Sequence, residues 1–362
     1  MSSILSTRFD NSLQKEFSKA LNARVSAYFK ENKGGRYANT EMIIKTIFMF
    51  MLYWTPFAFV LSGLVTSGWL YFLLMIVMGF GLAGIGLSVM HDANHGAYSK
   101  NRWVNKLIGY SMNLVGGNAT NWKIQHNVKH HTYTNIHGHD EDVSLKGGIL
   151  RLSPNSDRKK IHKYQHIYAW FLYGLMTISW IGVKDITQLI GYTKDGMLEK
   201  QQPVGKAWVW IILTKLVYYS YVLVLPLLFS PFAWWMVVLG FLVMHYVAGF
   251  ILAIIFQPAH VMEVNEFPLP NEDQVVEENW SVHQLKTTCD FAQNSRIFSW
   301  YVGGLNFQIE HHLFPNICHV HYRKIAKIVR ETAEEFNMPY KTYRTFWSAL
   351  VSHGKMLYAL GR

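Results

Sequence analysis

TIFMFMLYWTPFAFVLSGLVTSGWLYFLLMIVMGFGLAGIGLSVM, residues 46–90, holds no Asp, Glu, Lys or Arg. A helix crossing a bilayer uses about 20 apolar residues, so the stretch has room for two. Thr66-Ser67-Gly68 breaks it near its middle. A second uncharged stretch runs from Leu216 to Met262 and breaks at Ser230-Pro231. The pattern predicts two helical hairpins, with spans at 43–64, 69–90, 209–229 and 232–256. The fold class that follows is all-α and integral to a membrane, four spans in two hairpins.

The flanks set the orientation. Residues 1–42 are polar and basic, without the early apolar core of a signal peptide. Neither hairpin tip carries Lys or Arg, so the basic residues gather at the open ends, which the positive-inside rule assigns to the cytoplasm. The expected layout is a single domain over 1–362. Its parts are a cytoplasmic N-terminal segment (1–42), hairpin one (43–90), a helical cytoplasmic cap (91–208), hairpin two (209–256) and a cytoplasmic C-terminal region (257–362). Residues 167–183 are uncharged and aromatic. Crossing there would put the histidines before and after on opposite faces, so this segment is expected to lie flat in the interface. The net charge of +11 suits anionic lipid and an acidic protein partner rather than nucleic acid. Two cysteines, Cys289 and Cys318, suggest no disulfide framework or iron–sulfur cluster.

The chain has 17 histidines, and they are grouped. His91 and His95 are four apart, as are His126 and His130, with His131 adjacent; Gln308, His311 and His312 repeat the spacing. Positions i, i+3 and i+4 share a helix face, so each group can aim its side chains at one point. Neutral imidazole ligates iron, zinc and copper. One such group could bind zinc or relay protons; three groups near span ends point to a shared metal centre beside the lipid. Acid–base catalysis does not attack unactivated methylene groups, whereas oxygen at a metal does. Carboxylates, the usual ligands of soluble di-iron bundles, are scarce, so the ligand shell is expected to be mostly nitrogen.

HDANH (91–95), HNVKHH (126–131) and QIEHH (308–312) resemble the three histidine boxes of membrane fatty-acid desaturases. Gln308 in place of the first histidine of box three resembles the front-end group. HDANHGAYSKN, VKHHTYTNIHGHDEDV, WSVHQLKTTCDFA and LNFQIEHHLFPNICHVHY extend the likeness, most closely to cyanobacterial and bacterial delta-6 acyl-lipid desaturases, over roughly residues 40–345. The resemblance implies a non-haem centre of two Fe ions, with O2 as co-substrate. It carries the ligand role to His91, His95, His126, His130, His131, His311 and His312, gives Gln308 a ligand's place, and adds His260 of FQPAH just after the fourth span. Asp92, Asp140, Asp142 and Asn306 are read as outer partners orienting those ligands, with capping or ion pairing as the alternative. The implied substrate is a lipid-linked or CoA-linked fatty acyl chain, in a bacterial inner membrane. No HPGG haem motif occurs, so the expected electron donor is a separate ferredoxin or cytochrome b5-like protein. A related fatty acyl or alkane hydroxylase is the alternative within this chemistry; a metal transporter or a dead scaffold lies outside it.

Overall fold

Apolar spacing makes most of the chain helical. The structure, a computed structural model, describes residues 7–31, 35–144 and 147–362. Parts of the expected N-terminal segment, residues 1–6 and 32–34, lie outside the described residues. In chain order the helices that position the site are α1 (Lys15–Glu31), α2 (Thr40–Leu61), α3 (Gly68–Asn94), α4 (Arg102–Gly109), α5 (Lys123–His130), α6 (Lys160–Gly174), α7 (Met176–Lys194), α8 (Val204–Phe229), α9 (Trp234–His260), α10 (Trp280–Thr287), α11 (Gln308–Leu313), α12 (Tyr322–Glu335) and α13 (Phe346–Leu360), with shorter helical turns between them. By packing, the chain divides into two compact units, each built from discontinuous segments. One comprises residues 1–39, 125–169 and 255–362; the other comprises 40–124 and 170–254.

Among the described residues, four single helices are long and apolar enough to cross a membrane, α2, α3, α8 and α9, and the second unit holds them but for the end of α9. They match the four expected spans, but α3 runs on past Met90 to carry His91 on its last turn. Glycines set their packing. A Cβ on Gly81 would lie 2.6 Å from the Tyr53 backbone nitrogen, and one on Gly79 would lie 2.7 Å from the Met244 carbonyl. Close backbone approach through small residues is how helices associate where lipid supplies no hydrophobic drive. The outward faces stay apolar: Ile43, Ile47, Met51, Leu213, Val217 and Leu228 are all more than half exposed, a surface beyond what a soluble monomer tolerates.

The segment at 167–183, expected to lie flat in the interface, runs through two helices, α6 and α7, bent by 61° at Gly174–Met176. The bend sits where α9 comes closest. A Cβ on Gly249 would lie 2.6 Å from the Gly174 carbonyl, and one on Gly174 would meet the Tyr246 ring.

In the first unit, α1 places Phe17, Leu21 and Val25 on one stripe. They join Leu285 of α10, Ile309 and Leu313 of α11, and Ile325 and Val329 of α12 in one core. Two parallel strand pairs tie distant segments: Arg8–Phe9 with Val275–Val276, and Asp290–Phe291 with Thr342–Tyr343. This core carries box three on one of its own helices, so packing fixes those ligand positions.

Candidate metal centre

Box two sits on α5, and α5 is not an ordinary α-helix. It is wound as a π-helix, in which residues five apart stack. The His131 backbone N–H donates to the His126 carbonyl, 3.0 Å away. Their rings follow, so His126 Nε2 lies 3.2 Å from His131 Nε2. Box three meets them from α11, with His311 Nε2 3.0 Å from the same His131 nitrogen. Nitrogens that share a metal at 2.0–2.1 Å stand about 3.0–3.4 Å apart, and these spacings are compatible with that.

A neighbouring group adds His130, His260 and His312, whose ligand atoms all lie within 4.8 Å of one another, as do those of His131, His311 and His312. The Nε2 atoms of His260 and His312 are buried without a hydrogen-bond partner. Burial, then the neighbouring His131, His260, His130 and His126, holds His312 well below the usual imidazole range, so it is neutral. Buried imidazole nitrogens gathered in this way are compatible with a metal. Gln308 is buried beside them and interacts with His260.

The outer ring nitrogens are held from behind. His130 Nδ1 lies 3.0 Å from Asp140 Oδ2 and 3.5 Å from Asp142 Oδ2. Burial pulls the His130 imidazolium down, but Asp140, by charge and hydrogen bond, and Asp142 outweigh it and leave it raised. Asp140 is lowered: burial would raise it, but His130 and the backbone N–H groups of Asn135 and Asp142 prevail. His312 Nδ1 lies 2.8 Å from Gln284 Oε1 and His311 Nδ1 lies 3.1 Å from the Tyr322 hydroxyl. His260 Nδ1 reaches the Thr287 carbonyl at 3.4 Å. Metal-ligating histidines characteristically donate their second N–H to such groups.

Sequence reasoning missed Gln284, Thr287 and Tyr322, and also Asn135. Gln284 stands within the block WSVHQLKTTCDFA, next to His283. That neighbour, His283, binds Glu278 and the Thr134 carbonyl instead. Asn135 adopts φ 61°, a left-handed conformation asparagine tolerates. From there its N–H donates to Asp140 and its amide to the His260 carbonyl, tying box two to the end of α9. The Asn306 amide donates to the Phe291 and Ala292 carbonyls and to Ser299. Beneath box three, Asp290 Oδ1 accepts from the Ile309 N–H, and Tyr340 bridges Asp290 and Glu310. Burial raises Asp290 to about 6, and burial with the Asp290 charge raises Glu310 well above the carboxylate range.

The remaining ligand candidates belong to the second unit. His91 and His95 lie on and just beyond the last turn of α3, ring centroids 4.8 Å apart, each against Trp122. Asp92 is buried in the same turn. His245, within α9, is bound by Tyr218 and Thr177, which satisfies it as a structural residue.

Residues 67–344 match the family model described as fatty acid desaturase. A "sn-1 linoleoyl-lipid 6-desaturase" of Arthrospira platensis is 37% identical, over 93% of this chain and 90% of its own length. One of the same name from a Synechocystis strain is 36% identical, over 96% of both. An "Acyl-lipid (8-3)-desaturase" of Physcomitrium patens is 37% identical, over 96% of this chain and 72% of its own length.

Proposed function

The chain belongs to the fatty acid desaturase family, and from that premise we propose that it is a front-end acyl-lipid desaturase acting at carbon 6, with a di-iron centre held by its histidine boxes. It is an oxidoreductase of lipid metabolism. The carrying observation is the meeting of His126, His131 and His311 at 3.0–3.2 Å, with His130, His260 and His312 alongside.

The ligand set is His91, His95, His126, His130, His131, His260, His311 and His312, with Gln308 in the ninth place. When bound, two irons supply the dioxygen reduction and C–H oxidation that no side chain can perform. The balance is one O2 reduced to two waters by four electrons. Two come from the broken C–H bonds and two from a separate ferredoxin or cytochrome b5-like donor. The protein's residues do the rest. Asp140, Gln284, Tyr322 and the Thr287 carbonyl orient the rings of His130, His312, His311 and His260, and burial keeps bulk water away from these nitrogens. Both termini and the histidine-rich regions face the cytoplasm, where the +11 charge would steer an acidic donor. The position, carbon 6, is supported by the likeness to the two linoleoyl-lipid 6-desaturases.

The test is expression in a bacterial host fed linoleate, with product lipids analysed by mass spectrometry. The expected product is two mass units lighter, with a new double bond at carbon 6, and it disappears in His130→Ala and His311→Ala. A gain of sixteen mass units would assign a hydroxylase instead.

A further inference from the structure

The unit that carries His95 also contains a cleft of about 800 Å³, and His95 lies in its wall. Four cations, Arg102, Lys106, Lys123 and Lys206, and two indoles, Trp103 and Trp210, line it. No carboxylate lines the cleft, and among the described residues none of the four cations forms an ion pair. Lys123 is partly buried. Burial, with the nearby Lys106 charge adding to it, pulls its ammonium below the usual range. Like charges gathered without a counter-ion repel, and an anion is what relieves them.

The rest of the cleft fixes the ligand's other end. On α4, Trp103 and Leu107 are 74% and 73% exposed, while Lys106 stands over the Trp103 ring at 4.9 Å. A short helix with bare apolar residues beside cations belongs at a bilayer surface. Trp210 comes from α8, one of the candidate spans. The site therefore offers cations for an anion and apolar surface for what the anion carries, within the 300–1,000 Å³ typical of ligand sites.

We propose that this cleft binds the phosphodiester headgroup of a glycerophospholipid whose acyl chain is the substrate, with Arg102, Lys106, Lys123 and Lys206 taking the phosphate. The ligand's status as substrate rests on the desaturase reading; its binding does not. A soluble thioester carrier would leave the exposed Leu107 in water, whereas an embedded lipid would bury it together with Trp103.

The test is calorimetric titration of the full chain in detergent micelles, without turnover. Probes are dihexanoyl phosphatidylglycerol, dihexanoylglycerol and coenzyme A. The variants are Lys106→Gln/Lys206→Gln, at exposed positions where folding is not at stake, and Lys123→Gln, with circular dichroism as the folding control. The expected result is phosphatidylglycerol binding that weakens about tenfold or more in the paired variant, the loss of two charged contacts. Dihexanoylglycerol should bind the wild type and the variants alike. Unchanged phosphatidylglycerol binding in the paired variant would overturn the proposal. So would coenzyme A binding more tightly than the lipid through the same lysines. Specific lipid binding by a chain that makes no unsaturated product would leave this site standing and sink the desaturase reading; turnover with unaffected binding would do the reverse.

Discussion

Gln284 is the residue whose role is least visible from its neighbours in sequence. Its carbonyl oxygen lies 2.8 Å from His312 Nδ1, and its amide donates to the His131 carbonyl. One side chain thus fixes the tautomer of one ligand and the backbone of another. Gln284→Ala is expected to weaken iron binding about 10- to 100-fold, as outer partners of metal ligands do, read by competition with a chelator. Unaltered affinity would reduce Gln284 to packing. The box histidines were legible because their spacing is local. Gln284, Tyr322 and Asn135 were not, because each meets its ligand across many residues of chain and carries no spacing of its own. Asn306, close to box three in sequence, gives its amide N–H groups to the Phe291 and Ala292 carbonyls, while its Oδ1 is buried without a partner.

Helix α10, which presents Gln284, is anchored by a charged cluster at its start. Glu278 accepts from His283 and Lys286. Burial would raise its carboxyl, but those hydrogen bonds outweigh it and hold Glu278 below the usual range. A depressed folded-state pKa contributes stability above the unfolded value, about 4.3 for Glu, and loses it as pH falls through the folded value. Glu278→Gln should therefore lower thermal stability at pH 7, by about 1–3 kcal/mol for breaking a buried charged contact. The gap from wild type should close as the pH falls below about 4; a gap independent of pH would mean the charge is irrelevant.

Helix packing among the spans makes a second prediction at this scale. A Cβ at Gly81 would meet backbone of α2 at 2.6 Å, whereas one at Gly182 meets nothing within 4 Å. Gly81→Ala should destabilise by about 1–3 kcal/mol through overpacking, while Gly182→Ala, in a helix with open space, should be neutral or stabilising by up to about 1 kcal/mol. Thermal unfolding in micelles separates them, and equal effects would mean that α2 and α3 do not pack this closely. The spans themselves were legible because charge-free length is a one-dimensional signal. The π winding of α5 and the bend between α6 and α7 were not. Both depend on contacts that hydropathy does not encode, among them the approach of Gly249 to Gly174.

At the scale of the molecule, charge decides which way the chain sits. The tips between α2 and α3 and between α8 and α9 read SGLVTS (62–67) and SPFA (230–233), without a basic residue. The segments outside the hairpins hold nearly all of the 34 lysines and arginines. A bilayer with a negative interior charges the translocation of Lys and Arg heavily and leaves uncharged tips free to cross. Alkaline phosphatase fused after Gly63 or after Ser230 should be active outside the cytoplasm. Green fluorescent protein fused at Arg362 should fluoresce, which it does only when kept inside. The proposed centre depends on this arrangement, because His91 follows one hairpin, His260 ends the other, and a single metal pair needs both on one side. A fluorescent fusion after Ser230, or a silent one at Arg362, would separate the two ends of the ligand set by the membrane and dissolve the centre.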